Sequence, residues 1–403
     1  MSSNIIVIDT NIVSKTLIIQ EKNTIDYKIL NYEKAHVCFD DDVTGKYRSV
    51  IVSNVSNQVM AIGPHKSISF GTFVNRYPEL EGKIPNEVII SEIIEGTMIN
   101  LFYNKDKNVW EIATKSAVGG HYWYYRQYYG GIQEQYTFRK MFMEAIGEHS
   151  LSDLNDSYLI QHLSKDLCYS FVLQHPANHI VLNIVHPTVY LVAIYEICPS
   201  IEIDDCSCVR HISLYEYTSE SVDMMRLMSA GIFHLPRVYN MGWVNNISYL
   251  ELMNEKETSP FPMGYMLVHS GTGDRLKIKT DSYDRLKELR GNHPNLQYQY
   301  LSIMRTGKVT EFLEYFPIYK TLFCQFYEQV SEYVKHVHRL YLDIYVNKNK
   351  NILENLHKSM RFHLQQIHYH KHILENQIVT RNVVFGWFLY SQEPGQFLYM
   401  LRM

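Results

Sequence analysis

The stretch that decides the fold is Ser91–Tyr103, which reads SEIIEGTMINLFY. An apolar run reaches Ile94, a Glu95-Gly96-Thr97 step interrupts it, and a second apolar run ends in Phe102 and Tyr103. Glycine weakens a strand interior, so a Glu-Gly step between two strand-like runs marks a place where backbone or ligand must come close. Beyond it the chain passes through an NKDKN loop into VWEIATK, and the alternation on both sides of that loop predicts a hairpin.

Composition limits what can surround this stretch. A chain of 403 residues is too long for one ordinary core and suggests two domains. A net charge of -4 and a pI near 6.5 give no global basic signature, so contact with nucleic acid would come from a local patch. An apolar share of 46% with 20% charged residues is that of a folded soluble protein. The run IVLNIVHPTVYLVAIY is broken by His186 and Pro187, which argues against a membrane span, and the N-terminus lacks the long apolar core of a signal peptide. Six irregularly spaced cysteines suit a reducing, cytoplasmic setting better than a disulfide framework.

Up to about residue 120, short runs rich in Ile, Val, Phe and Tyr alternate with polar turns; a helical pattern follows in EQYTFRKMFMEAIGEH, and strands return with CYSFVLQHPANHIVLNIV. After Tyr283 the spacing of apolar and aromatic residues becomes helical and stays so to the end. No solenoid repeat and no low-complexity linker separates the two parts.

Five segments then fall in a significant order: KYRSVIV at 46–52, EIIEGTMINLFY at 92–103, WEIATKSAVGG at 110–120, YSFVLQHPANHIV at 169–181, and GYML followed by DRLKIK ending at Lys279. Together they resemble the RNA ligases of phages and large DNA viruses, members of the covalent nucleotidyltransferase superfamily, over nearly the whole chain. The resemblance implies an α+β fold: a ligase-type nucleotidyltransferase domain of antiparallel sheets and helices over 1–283, then an all-helical domain over 284–403. In that family a lysine opens a Lys-x-Asp/Glu-Gly motif and attacks the α-phosphate of ATP, chemistry that needs a nucleophile beside a glycine turn and cations against the developing charge. Here the lysine position is Ile93, and an isoleucine forms no phosphoramide. The glutamate expected before a later Gly-Tyr, a ligand of the catalytic metal, is Met263, and a thioether does not replace a carboxylate on a hard cation.

Other positions keep the family pattern. The resemblance implies nucleotide contacts from Arg48, Glu95, Gly96, Phe102, Lys115, Lys277 and Lys279, although the glycine that commonly follows the arginine is Ser49. Lys277 and Lys279 lie two apart on a strand and so face one side. Lys46, Lys66 and Lys115 lie on neighbouring motifs, but none stands next to the Glu-Gly turn. The expectation is an RNA-ligase-like pseudoenzyme that has lost self-adenylation and retains nucleotide or RNA binding, with ATP and Mg as cofactors if binding is kept. Two other readings stay open: an active ATP-dependent RNA ligase using a relocated nucleophile, and a structural or assembly protein on a ligase scaffold.

Three features lie outside the resemblance. Cys198, Cys206, Cys208 and His211 are residue types that complete a zinc site, though their spacing is not that of a common finger and buried apolar cysteines are the alternative. His368 and His372, four apart on a helix, read as part of a solvated face. HYWYYRQYYGG at 121–131 crowds aromatics around Arg126, the pattern either of a stacking platform for single-stranded RNA or of core filling.

Overall fold

A computed structural model describes residues 5–14, 16, 18–36, 38, 41, 43–122, 136–149, 153–178, 180–198, 206–239 and 245–402. Most of the aromatic stretch at 121–131 lies outside these residues. The chain forms two compact units, one ending at Arg285 and the other beginning at Leu286.

In chain order the strands of the first unit are β1 (Ile5–Asp9), β2 (Ile19–Asn23), β3 (Tyr27–Tyr32), β4 (Val50–Ser53), β5 (Val59–Ala61), β6 (Val88–Glu92) and β7 (Thr97–Asn104). They continue as β8 (Val109–Thr114), β9 (Ala117–Val118), β10 (Leu167–Gln174), β11 (Thr188–Ile197), β12 (Cys206–Ile212), β13 (Gly264–His269) and β14 (Arg275–Lys279). They make a seven-stranded sheet in the order β1-β12-β11-β10-β7-β8-β9, a four-stranded sheet β2-β3-β4-β5 and a three-stranded sheet β14-β13-β6.

The expected hairpin is β7–β8, in register from Asn100 opposite Ala113 to Asn104 opposite Val109. Its turn is closed by Asn104, whose Oδ1 accepts from the amides of Asp106 and Lys107 at 2.9 and 3.1 Å. Side-chain alternation along β7 then fills two cores. Ile99 and Leu101 face the helix Phe138–Ala145, packing with Phe142, Phe171 and Leu173. Phe102 points to the opposite face, where Cys168, Ala193 and Tyr195 meet the four-stranded sheet through Leu30, Ile51 and Val52. The three-stranded sheet buries Ile90, Tyr265, Leu267, Leu276 and Ile278 on one face together with Phe73 and Tyr249. Strand parity sends its alternate residues to the other face.

The second unit is helical among the described residues. Its longest helix, Lys320–Tyr341, places Val330, Val334 and Val337 in a core with Leu364, Phe388 and Phe397, the three-and-four spacing of an amphipathic helix. No helix among the described residues is long and apolar enough to cross a membrane.

Candidate functional site

The free face of the three-stranded sheet forms one wall of a cleft, with Ile89 and Ser91 from β6, Met266 and Val268 from β13, and Arg275 and Lys277 from β14. The opposing wall includes Gly96 and Met98 from β7, Val172 from β10 and Val192 from β11. His211, Tyr215 and Arg48 complete a space of about 1000 Å³, including its mouth to solvent. The result is an apolar slot with three cations along one side.

The Glu-Gly turn lies at the junction of the walls. Gly96 has φ +152°, and a Cβ there would overlap the Leu173 carbonyl oxygen and come within 2.8 Å of Val172 Cγ1. The close approach that requires glycine is therefore that of strand β10. Glu95, 2% exposed, is fully engaged. Its Oε1 accepts from the amides of Ile180, Val181 and Leu182 at 2.9, 2.8 and 3.3 Å, and its Oε2 accepts from Leu182 at 3.3 Å and from the Tyr283 hydroxyl at 2.9 Å. Gln174 Nε2 adds a bond to the Glu95 carbonyl at 2.9 Å. The segment following β10 thus grips the turn through Glu95.

The two isoleucines of the turn face opposite ways. Ile94 lines the cleft, whereas Ile93 is buried in a small apolar cluster with Met263 and Tyr283, flanked by Val181, Leu182 and Met266. The positions expected for the nucleophile and the metal ligand therefore belong to one dry cluster. Glu92 is the carboxylate among the described cleft residues, and it is held by Arg237. Its Oε2 accepts from Arg237 Nη2 at 2.9 Å and Nε at 3.1 Å, and its Oε1 accepts from the Arg237 amide at 2.9 Å. The cleft residues present do not fit a magnesium ion, which wants carboxylate and water oxygens.

Of the residues expected at a nucleotide, Arg48, Gly96 and Lys277 line the cleft. Ser49 keeps a left-handed backbone at φ 60°, the conformation a glycine adopts without cost. It is held by Asn31 Oδ1 accepting from its amide at 2.9 Å, and its hydroxyl donates to the Thr114 carbonyl at 3.1 Å. Lys115 lies beside Tyr32, its Nζ 4.7 Å from the ring centroid, with Lys66 Nζ 5.3 Å from the same ring. Burial, then Arg48 and Lys34, hold the Lys115 amine below its ordinary value; burial, then Lys34, Arg48 and Lys115, do the same to Lys66. Arg48 thus links the cleft to a cluster of lysines. Lys279 makes an ion pair with Asp284 at 2.7 Å, and Phe102 is fully buried against Tyr27.

Arg275 escaped the sequence reading, which attended to the lysines that follow it. The alternation that puts Lys277 in the cleft puts Arg275 there as well, deeper and 8% exposed. Burial and the neighbouring Arg48 lower its guanidinium to about 10. His211 is held at about 4, chiefly by burial, and its Nδ1 lies 3.1 Å from the Ser270 carbonyl.

Strand geometry separates three of the zinc candidates. Cys206, Cys208 and His211 all lie on β12, where parity sends both cysteines to one face and the histidine to the other. Among the described residues no three His, Cys, Asp or Glu side chains are gathered to hold a metal ion. In the second unit the His368 and His372 rings stack at 5.1 Å, and His368 Nδ1 shares a 2.9 Å hydrogen bond with the Tyr341 hydroxyl.

No protein-family model matches the chain, and no curated protein matches it in sequence. Among solved structures it is similar to the RNA ligase of Naegleria gruberi. Two point mutants of that ligase, each with ATP and Mn, align at 10% and 11% identity, both with a TM-score of 0.37, covering 56% of this chain and 58% of the ligase. An apo mutant aligns at 11% identity and a TM-score of 0.34, covering 54% of each chain. In each case the chain spans less than two thirds of the ligase.

Proposed function

We propose that this chain is a ligase-like nucleotide-binding protein that forms no covalent adenylate. The observation that carries the reading is the orientation of the turn: Ile94 faces the cleft, Ile93 is packed away with Met263, and neither supplies an amine to an α-phosphate. The apolar slot suits a base and sugar, while Arg48, Arg275 and Lys277 suit the phosphates. The lysines around Tyr32 continue the positive path from Arg48, as a polyphosphate or an RNA backbone would need. The residues of this cleft bind and orient; its carboxylate, Glu92, is taken by Arg237 and is not available to hold a metal ion.

The test incubates the intact protein with α-labelled ATP and Mg²⁺ or Mn²⁺, then resolves it on a denaturing gel, while fluorescence titration measures reversible nucleotide binding. Reversible binding without covalent label is expected. Covalent label on the parent chain would overturn the reading in favour of an active ligase, and peptide mapping of the labelled residue would identify the relocated nucleophile.

A further inference from the structure

The geometry points to a phosphate seat in the cleft, formed by Arg275 with Arg48, through which a terminal phosphate on a nucleoside strengthens binding. This deepens the nucleotide-binding reading and rests on it. Three observations support it.

First, Arg275 is a buried cation with no carboxylate partner among the described residues. Its Nη2 donates to the carbonyls of Pro64, at 3.3 Å, and His65, while its Nε has no hydrogen-bond partner. Second, a second guanidinium converges on the same oxygen: Arg48 Nη1 donates to the Pro64 carbonyl at 3.4 Å. Two like charges brought together in a low-dielectric site repel, and carbonyl dipoles compensate them only in part. Third, the nearest imidazoles are neutral and leave the positive charge of the seat to the two guanidiniums. His65 is buried and held neutral at about 3, and His211 lines the same cleft at about 4. Holding the 64–65 loop would need only donors, whereas a pair of guanidiniums matches the planar fork geometry with which arginine binds phosphate. Lys277, on the same face of β14, adds a third cation beside this seat.

The chemistry shared by possible ligands is a phosphomonoester on a nucleoside, either a free mononucleotide or the terminal phosphate of an oligonucleotide. Calorimetric titration of the intact protein with adenosine, AMP, and oligoadenylate bearing a 5′-phosphate or a 5′-hydroxyl separates these sources. AMP is expected to bind about 30-fold more tightly than adenosine, in keeping with hydrogen bonds to a charged group. Arg275→Met should reduce that ratio to about threefold, and Arg275→Lys should fall between, because a lysine keeps the charge and loses the fork. Oligonucleotide discrimination by its 5′-phosphate would assign the seat to RNA ends; discrimination by AMP alone would assign it to free nucleotide. Equal binding of adenosine and AMP overturns the seat and leaves the nucleotide cleft standing. A ratio that survives in Arg275→Lys, which keeps the cleft charge if the methionine variant fails to fold, and in Arg275→Met where it folds, also overturns it. Failure of every nucleoside and nucleotide to bind overturns both readings.

Discussion

Placing a lysine at each isoleucine of the turn separates the two faces of the structure. Ile93 is 5% exposed and packs with Met263, 6% exposed, and Tyr283. Ile93→Lys removes a buried isoleucine, worth about 2 kcal/mol of apolar burial, and places an amine where Glu95 already accepts from three backbone amides and a hydroxyl. With desolvation of that amine included, the loss comes to about 5 kcal/mol. At about 2 °C per kcal/mol for a unit of this size, melting falls by about 10 °C. Ile94→Lys instead extends its amine into the open cleft, and its melting temperature should stay within about 3 °C of the parent because the stem remains against apolar surface while the head stays wet. Differential scanning fluorimetry measures both, with α-labelled ATP as a second readout. A stable Ile93→Lys protein that takes covalent label would show that residue 93 reaches the cleft, and would refute the orientation on which the functional proposal stands.

Two further outcomes follow from buried polar groups. Glu95→Ala should destabilise the first unit by on the order of 4 kcal/mol in urea unfolding, since it strands the amides of 180–182 and the Tyr283 hydroxyl, with Glu95→Gln losing about half as much; a loss below about 1 kcal/mol would mean that Glu95 does not anchor this segment. Acid should weaken the same unit. Burial holds His65 at about 3 and His211 at about 4, both below the ordinary 6.5 of imidazole, so between these values the unfolded chain takes up protons that the folded unit refuses. Stability is therefore full above about pH 6.5 and declines as pH falls, by on the order of 3 kcal/mol for His211 by about pH 4. His211→Gln should flatten that decline in urea midpoints, and an unchanged slope would contradict the assignment.

Much of the scaffold was legible because local pattern and tertiary role coincide. The alternation on both sides of Asn104–Asn108 forms the β7–β8 hairpin, and the helical spacing after Tyr283 forms helices. The site was less legible. Sequence spacing marks Glu95 and Gly96 as special but cannot show that their partners are Leu173 and the 180–182 amides, which lie some eighty residues away. Phe102 sits on an ordinary strand whose parity happens to direct it into the core. Arg275 reads as one charge among several, and only the packing of the 64–65 carbonyls against it reveals a buried cation. The cysteine spacing ignored strand parity, which was available in principle from the alternation of Cys206, Cys208 and His211.

The cluster of Ile93 with Met263 also affects how such a chain can change over generations. A lysine at 93 or a glutamate at 263, arriving alone, would be stranded in an apolar setting and selected against for stability before any chemistry could favour it. Arriving together, the two opposite charges could satisfy each other. The adaptive path between an apolar and a charged version of this site therefore crosses a valley that single substitutions do not bridge, and lineages on either side should hold their version of the pair as a unit.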